Sequence, residues 1–200
     1  MIAIRIVTDI RAVQREYRVV LHGFIKGNCM QITELQTPRT ILRPFSAGHA
    51  METFAWFGDP EVMKFTPFGP DESVTATLDR IRRYLEHQAQ YGFAKWMILE
   101  RGTGKPIGDS GLMYCSECRR FELGYRLLPD YWNKGLATEA ASAWLQHGVH
   151  ELGLTDLMAF THPDNVASVR VLEKIGFRFS HRAVLMGMPS KIFTLPDSSY

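Results

Sequence analysis

Cysteine, net charge and long apolar runs are all scarce in this chain, and each scarcity excludes a class of protein. Three cysteines occur in 200 residues: Cys29 alone, and Cys115 and Cys118 in one C-S-E-C pair. That is no disulfide framework, and one CxxC without a second pair or a nearby His is a weak zinc signal, so two reduced thiols near a hairpin are expected and no metal. A net charge of +2 is too small for a nucleic-acid footprint. No apolar run approaches the ~20 residues of a membrane span, and Arg5, Asp9 and Arg11 interrupt any signal-peptide core. The expectation is a cytoplasmic protein with no membrane partner and no direct nucleic-acid partner. Two phosphate loops are missing as well: there is no GxxxxGK[ST], and no GxGxxG follows a strand.

What is present is a globular composition, 46% hydrophobic and 12% aromatic, at a length that suits one domain. From Met30 the elements come in order. "RTILRPF" (39–45) alternates as a strand, Ser46 caps a helix reaching Phe57, and Gly58-Asp59-Pro60 ends it. Residues 58–70 read as a loop with one helical turn. Asp71-Glu72 opens a helix whose Val74, Leu78, Ile81, Tyr84 and Leu85 share a face, and Gly92 stops it. "FAKWMILE" (93–100) and "IGDSGLMY" (107–114) form a hairpin, followed by a strand at 119–128. A helix over about 135–152, a strand at 157–161 and a helix from Val166 to Ile175 come next, with Gly176 as a left-handed cap. Strands near 177–182 and 184–195 finish the chain. The order predicts an α/β fold: a mixed, mostly antiparallel sheet of about six or seven strands flanked by about four helices.

The stretch "DYWNKGLATEAASAWLQHGVHELG" (130–153) poses the functional question. Leu136, Ala140, Trp144, Gly148 and Leu152 form one i,i+4 row, and Ala137, Ala141, Leu145 and Val149 the next, a broad face of small residues for close packing on a sheet. Packing does not account for Asn133-Lys134-Gly135. A helix N-terminus offers unpaired amides and partial positive charge, and Gly135 lets an anion approach without a Cβ in the way. His147 and His150 lack ligand spacing and read as helix-surface residues.

The segment "ELGYRLLPDYWNKGLATEAA" resembles the signature of the GNAT superfamily of acyl-CoA N-acyltransferases, in the branch of the ribosomal-protein-alanine N-acetyltransferases. Its small-residue positions fall on Gly135 and Ala137, with Trp132 where Gln or Arg is usual. "NVASVRVLEKIGF" (165–177) is similar to the family's second element, and the likeness extends to "TILRPF" and "GDPEVMKF", covering about residues 38–195. Residues 1–29 have no counterpart and carry a net charge of +3. They read as an N-terminal extension or a start-site misassignment ahead of an acyltransferase domain at 30–200.

The resemblance implies acetyl-CoA as co-substrate and a primary amine as acceptor, either a protein N-terminus or a small molecule, acetylated by direct attack in a ternary complex. It implies that strands 119–128 and 157–161 are a parallel pair that splays apart to form the cofactor cleft. Backbone at Tyr125, Leu127 and Leu128 would take the acyl-pantetheine arm, and Asn133, Lys134, Gly135, Leu136, Ala137 and Thr138 the pyrophosphate. Asn165 would meet the cofactor arm or cap its helix, or both.

Glu122 is the candidate general base; the competing reading is a strand carboxylate paired with Arg119 or Arg120. The frequent acid Tyr is replaced by Leu172, so Ser168 is the candidate acid, with Tyr125 or water as alternatives. The acceptor pocket would be built from the 58–70 loop, the 71–91 helix and the final hairpin, where Trp56, Phe57, Phe65, Phe68, Met186 and Met188 serve as pocket or core. A non-catalytic acyl-CoA sensor or interaction module is the rival reading, and the assembly is a monomer or a homodimer.

Overall fold

The computed structural model describes residues 18–20 and 33–196. Among the described residues nine strands form one sheet: β1 (Arg18–Val20), β2 (Glu34–Gln36), β3 (Thr40–Arg43), β4 (Lys95–Glu100), β5 (Pro106–Cys115), β6 (Arg120–Leu127), β7 (Leu157–Thr161), β8 (Arg178–Leu185) and β9 (Met188–Thr194). They lie in the order β1-β2-β3-β4-β5-β6-β7-β9-β8. The expected mixed, mostly antiparallel α/β architecture is present, enlarged by the two short strands β1 and β2 at one edge. The rest of residues 1–29, and with it most of the proposed extension, lies outside the described residues.

Among the described residues five α-helices accompany the sheet: α1 (Ala50–Phe57), α2 (Pro60–Met63), α3 (Val74–Tyr91), α4 (Leu136–Gln146) and α5 (Val166–Lys174). Ser46 and His49 cap each other's backbone at the entrance to a 3₁₀ turn that runs into α1. Asp59 accepts from the amides of Glu61 and Val62 and so starts α2, with Pro60 in its first turn. The entrance to α3 differs from expectation. Ser73 is its cap, and Asp71 turns inward to an ion pair with Arg80 that leaves both side chains buried. Two acids before an apolar-periodic run look like first-turn charges; here one of them serves a buried guanidinium instead. The closing hairpin turns three or four residues later than read, at Met186-Gly187, both with positive φ (49° and 77°) as a two-residue type I′ turn requires.

The sheet's two faces are covered by different helices. Alternation along β6 puts Glu122, Gly124 and Arg126 on one face and Leu123, Tyr125 and Leu127 on the other. Arg126 bonds Tyr84 of α3 and shares Asp109 with Trp56 of α1, so α1 and α3 cover the first face. Tyr125 bonds Ser168 of α5, and α4 lies on the second face, where Gly148 just beyond it approaches so closely that a Cβ would stand 2.9 Å from Leu112 Cδ1. The small-residue row from Leu136 therefore serves sheet packing, as its spacing predicts. The α4 pattern continues as a π-helical turn, His147–Glu151. His150 is exposed, but His147 is buried, so its surface assignment is corrected. It lies three residues after Trp144, beside the apolar rows, and faces inward with them.

Candidate active site

Among the described residues only one neighbouring pair in the sheet is parallel. β6 and β7 pair at Phe121–Leu157 and Glu122–Met158 and no further, although β6 continues to Leu127 and β7 to Thr161. Beyond Glu122 the two strands diverge. A cleft of about 720 Å³ passes through the opening and is lined from both faces of the sheet.

The free edge of β6 offers hydrogen-bonding groups to this cleft. The Leu128 amide donates to the Ile107 carbonyl at 2.9 Å, so alternation turns the backbone of Gly124 and Arg126 toward β5 and that of Tyr125 and Leu127 toward the gap. Tyr125 and Leu127 both line the cleft. Leu128 does not belong with them: its amide is taken by Ile107, its carbonyl accepts from Tyr131 at 2.9 Å, and it is absent from the cleft wall. The assignment of Leu128 as an arm-binding residue is corrected on that ground. Trp132, not counted among the site residues from sequence, donates its indole N–H to the Leu127 carbonyl at 2.7 Å. That bond ties the loop before α4 to the end of β6.

The loop itself turns twice through the left-handed region, at Asn133 (φ 58°) and Gly135 (φ 77°). Gly135 stands at the N-cap of α4, and its carbonyl accepts the first helical bond from the Glu139 amide at 3.0 Å. Among the described residues no protein acceptor takes the amides of residues 133–138. Asn133, Gly135, Leu136, Ala137 and Thr138 line the cleft. The Lys134 side chain does not; its ammonium lies 5.5 Å from the centre of the Tyr131 ring. Successive free amides at a helix start, with no Cβ at Gly135, fit a diphosphate.

Across the opening, Asn165 Oδ1 accepts from the Ser168 amide at 3.1 Å and caps α5 while also lining the cleft. Ser168 Oγ lies 3.0 Å from the Tyr125 hydroxyl. Burial pushes the Tyr125 phenol well above its ordinary pKa, against the opposing effect of the Ser168 hydrogen bond. The phenol therefore holds its proton. Leu172 is 1% exposed and packs in the core, and its hydrocarbon side chain has no proton to give.

On the opposite face, Glu122 Oε1 lies 3.2 Å from Lys95 Nζ, both side chains largely buried. Neither arginine proposed as its partner takes that place: Arg120 pairs with Asp156 at 3.0 Å, and the bond to Glu122 comes from β4, two strands away. Met113, Tyr84, Arg80, Arg83, Phe65 and Phe68 surround this half of the cleft. Met186 lines it too, its amide held by Glu117 Oε2 at 3.0 Å. Of the remaining candidate pocket residues, Trp56, Phe57 and Met188 are buried in the protein. Cys115 and Cys118 are free thiols, and burial, first, and the neighbouring Cys115 push the Cys118 thiol up to about 12. It is not a nucleophile at neutral pH.

A splayed parallel pair, an amide-lined helix entrance and a cleft through the sheet define an acyl-CoA transferase type of site. Residues 39–178 match the Acetyltransferase (GNAT) domain family, and the chain belongs to that family: it is an acetyl-CoA-dependent N-acetyltransferase. It is 32% identical over 145 residues to the uncharacterized N-acetyltransferase YoaA of Bacillus subtilis (strain 168), covering 72% of this chain and 82% of that one. It is 29% identical over 154 residues to the FsC-acetyl coenzyme A-N(2)-transacetylase of Aspergillus fumigatus, covering 71% of this chain and 63% of the relative. In fold it is similar to an acetyltransferase from Agrobacterium tumefaciens str. C58 (TM-score 0.73, 23% identity, 87% of this chain and 100% of that chain). It is likewise similar to RimL, a ribosomal L7/L12 alpha-N-protein acetyltransferase in complex with coenzyme A (TM-score 0.65, 13% identity, 79% and 94%). Among the described residues no group of His, Cys, Asp and Glu has the arrangement of a metal site, and no helix is long and apolar enough to cross a membrane.

Proposed function

We propose that the chain acetylates a primary amine by direct attack within a ternary complex, with the cofactor on the α4–α5 face of the sheet and the acceptor on the α1–α3 face. The observation that carries this reading is the cleft itself, which joins a carboxylate on one face to a hydroxyl pair on the other through the gap between β6 and β7. The amides of residues 133–138 receive the pyrophosphate. The backbone of Tyr125 and Leu127 pairs with the acyl-pantetheine arm as an added strand would, and an amide there polarises the thioester carbonyl.

The amine reaches the carbonyl from the Glu122 side. Its nitrogen bonds to the carbonyl carbon, the carbon–sulfur bond breaks, and Glu122 takes the proton the amine loses. The departing sulfur receives a proton from the Ser168–Tyr125 hydroxyl pair. Those two groups stand on the cofactor face, 3.0 Å apart, and supply the acid that Leu172 lacks. Lys95 holds the Glu122 carboxylate in place beneath the acceptor. An aromatic and apolar surround suits an acceptor with some apolar surface near its amine, as a peptide N-terminus or a small aryl or alkyl amine has.

The test is release of free thiol from acetyl-CoA over a panel of small amines and N-terminal peptides, with product mass confirmed. Turnover confined to peptides assigns a protein N-terminus, and turnover confined to small amines assigns that class. Coenzyme A binding with no turnover on either would overturn the catalytic roles given to Glu122 and Ser168.

A further inference from the structure

The amides of residues 133–138 serve an anion only while the neighbouring carbonyls point elsewhere, and the Lys134 carbonyl has its own partner. Arg39 Nη1 donates to the Lys134 oxygen at 2.8 Å. The same guanidinium donates through Nε to Glu139 Oε2 at 2.7 Å, and the Arg39 amide donates to Glu139 Oε1 at 2.7 Å. Thr37 Oγ1 also donates to Glu139 Oε1. Glu139 is 9% exposed, in the first turn of α4. A buried carboxylate in the helix therefore grips the β2–β3 turn, and the arginine of that turn grips the loop. Neither Arg39 nor Glu139 lines the cleft.

We infer that Arg39 and Glu139 are positioning residues for the pyrophosphate loop, which they hold with the Lys134 carbonyl turned away from the anion. The inference rests on the cofactor site proposed above. Lys134 lies between two left-handed residues, Asn133 and Gly135, and a peptide beside glycine reorients readily. The Arg39 bond selects one orientation. Arg39 has a second effect, because a carboxylate in the first turn of an anion-binding helix opposes the helix's own field. Pairing with the guanidinium offsets that charge.

The experiment compares wild type with R39M, R39K and E139Q by calorimetric titration with coenzyme A, and by turnover with acetyl-CoA and with S-acetylpantetheine, which lacks the pyrophosphate. R39M raises the coenzyme A Kd and the acetyl-CoA KM by about tenfold, leaves kcat at saturating acetyl-CoA within about twofold, and leaves turnover of S-acetylpantetheine unchanged. R39K restores the charge but not the fork that spans both partners, so it stays closer to R39M than to wild type. E139Q keeps an acceptor for Thr37 and for the Arg39 amide, and raises Kd less than R39M. If R39M does not fold, R39K and E139Q decide by the same comparison.

Equal coenzyme A binding by wild type and the variants would overturn the inference alone. So would a parallel loss with S-acetylpantetheine, because that marks a general structural defect. Wild-type protein that bound no coenzyme A would overturn the cofactor site and the inference with it.

Discussion

Lys95 Nζ reaches Glu122 Oε1 at 3.2 Å by lying across two glycines. Lys95, Gly111 and Gly124 are register neighbours on β4, β5 and β6, and a Cβ on Gly124 would stand 2.4 Å from the lysine ammonium. The atom in the way is the far end of a flexible side chain, so G124A is expected to fold with a Tm near that of wild type while displacing Lys95 from Glu122. Activity is expected to fall with coenzyme A affinity unchanged, and E122Q to fall further, by about 10²-fold or more in kcat if Glu122 is the base. Thiol-release kinetics paired with coenzyme A titration checks this. A G124A enzyme with wild-type kcat would remove Lys95 from the account, and an E122Q enzyme with wild-type kcat would remove Glu122.

The Tyr125–Ser168 pair makes a pH prediction. Burial raises the Tyr125 phenol, so its proton-donating form persists as pH rises past the ordinary phenol range near 10. An alkaline limb in wild-type kcat between pH 7 and 10 is therefore not expected from this group. Y125F is expected to lower kcat by about 10–100-fold with a poor leaving thiolate and to leave coenzyme A binding intact, and S168A to cost less. If both variants turn over as wild type does, water protonates the thiolate and the pair is structural.

The parts of this arrangement that could be read from the chain are those whose signal is local. The splayed pair follows from the family resemblance, while the α4 entrance and the Asn165 cap each lie within a few residues, where spacing and turn chemistry carry the information. The partners of the charged groups do not. The competing reading of Glu122 pairs it with Arg119 or Arg120 on its own strand, yet the sheet brings Lys95 from 27 positions away; Arg39 and Glu139 meet across 100 positions. Nothing in the neighbouring sequence marks such pairs before strand order is known. His147 is a different case. Its offset of three from Trp144 and seven from Ala140 lies along the buried rows, so periodicity held the signal, but its polarity suggested the surface.

Arg126 and Asp109 form the most deeply buried ion pair of the site. Asp109 is 0% exposed, and Arg126 donates to both its oxygens, at 2.9 and 2.7 Å. Trp56 donates to the same carboxylate at 3.1 Å, and Arg126 also donates to the Tyr84 hydroxyl and lies over the Phe57 ring. D109A leaves the guanidinium buried with only neutral partners, the Tyr84 hydroxyl and the Met63 sulfur. A loss of about 3–5 kcal/mol is expected, lowering Tm by roughly 10 °C, measured by calorimetry. The paired replacement D109L/R126M is expected to recover much of that, because no unpaired charge remains buried. A D109A protein as stable as wild type would show that Tyr84 and the ring suffice to hold the arginine.

His147 sets the stability of the fold in mild acid. Burial lowers its pKa from 6.5 to about 4, and among the described residues its Nδ1 has no hydrogen-bond partner. The folded chain refuses a proton that the unfolded chain accepts below pH 6.5, so stability is fully present above 6.5 and is lost as pH falls toward about 4. The loss is on the order of 3 kcal/mol across that window. Asp71 acts in a lower one. Burial alone would raise its carboxyl, but the Arg80 hydrogen bond and charge hold it below its ordinary 3.8, so its contribution persists above that value and fades only beneath it. Thermal melts of wild type and H147L from pH 8 to 3.5 separate the two. H147L is expected to keep a nearly level Tm from 6.5 to about 4 where wild type declines, and to fall with it below that. The same decline in both proteins would mean that the acid limb comes from other groups, and that His147 is protonated in the folded state.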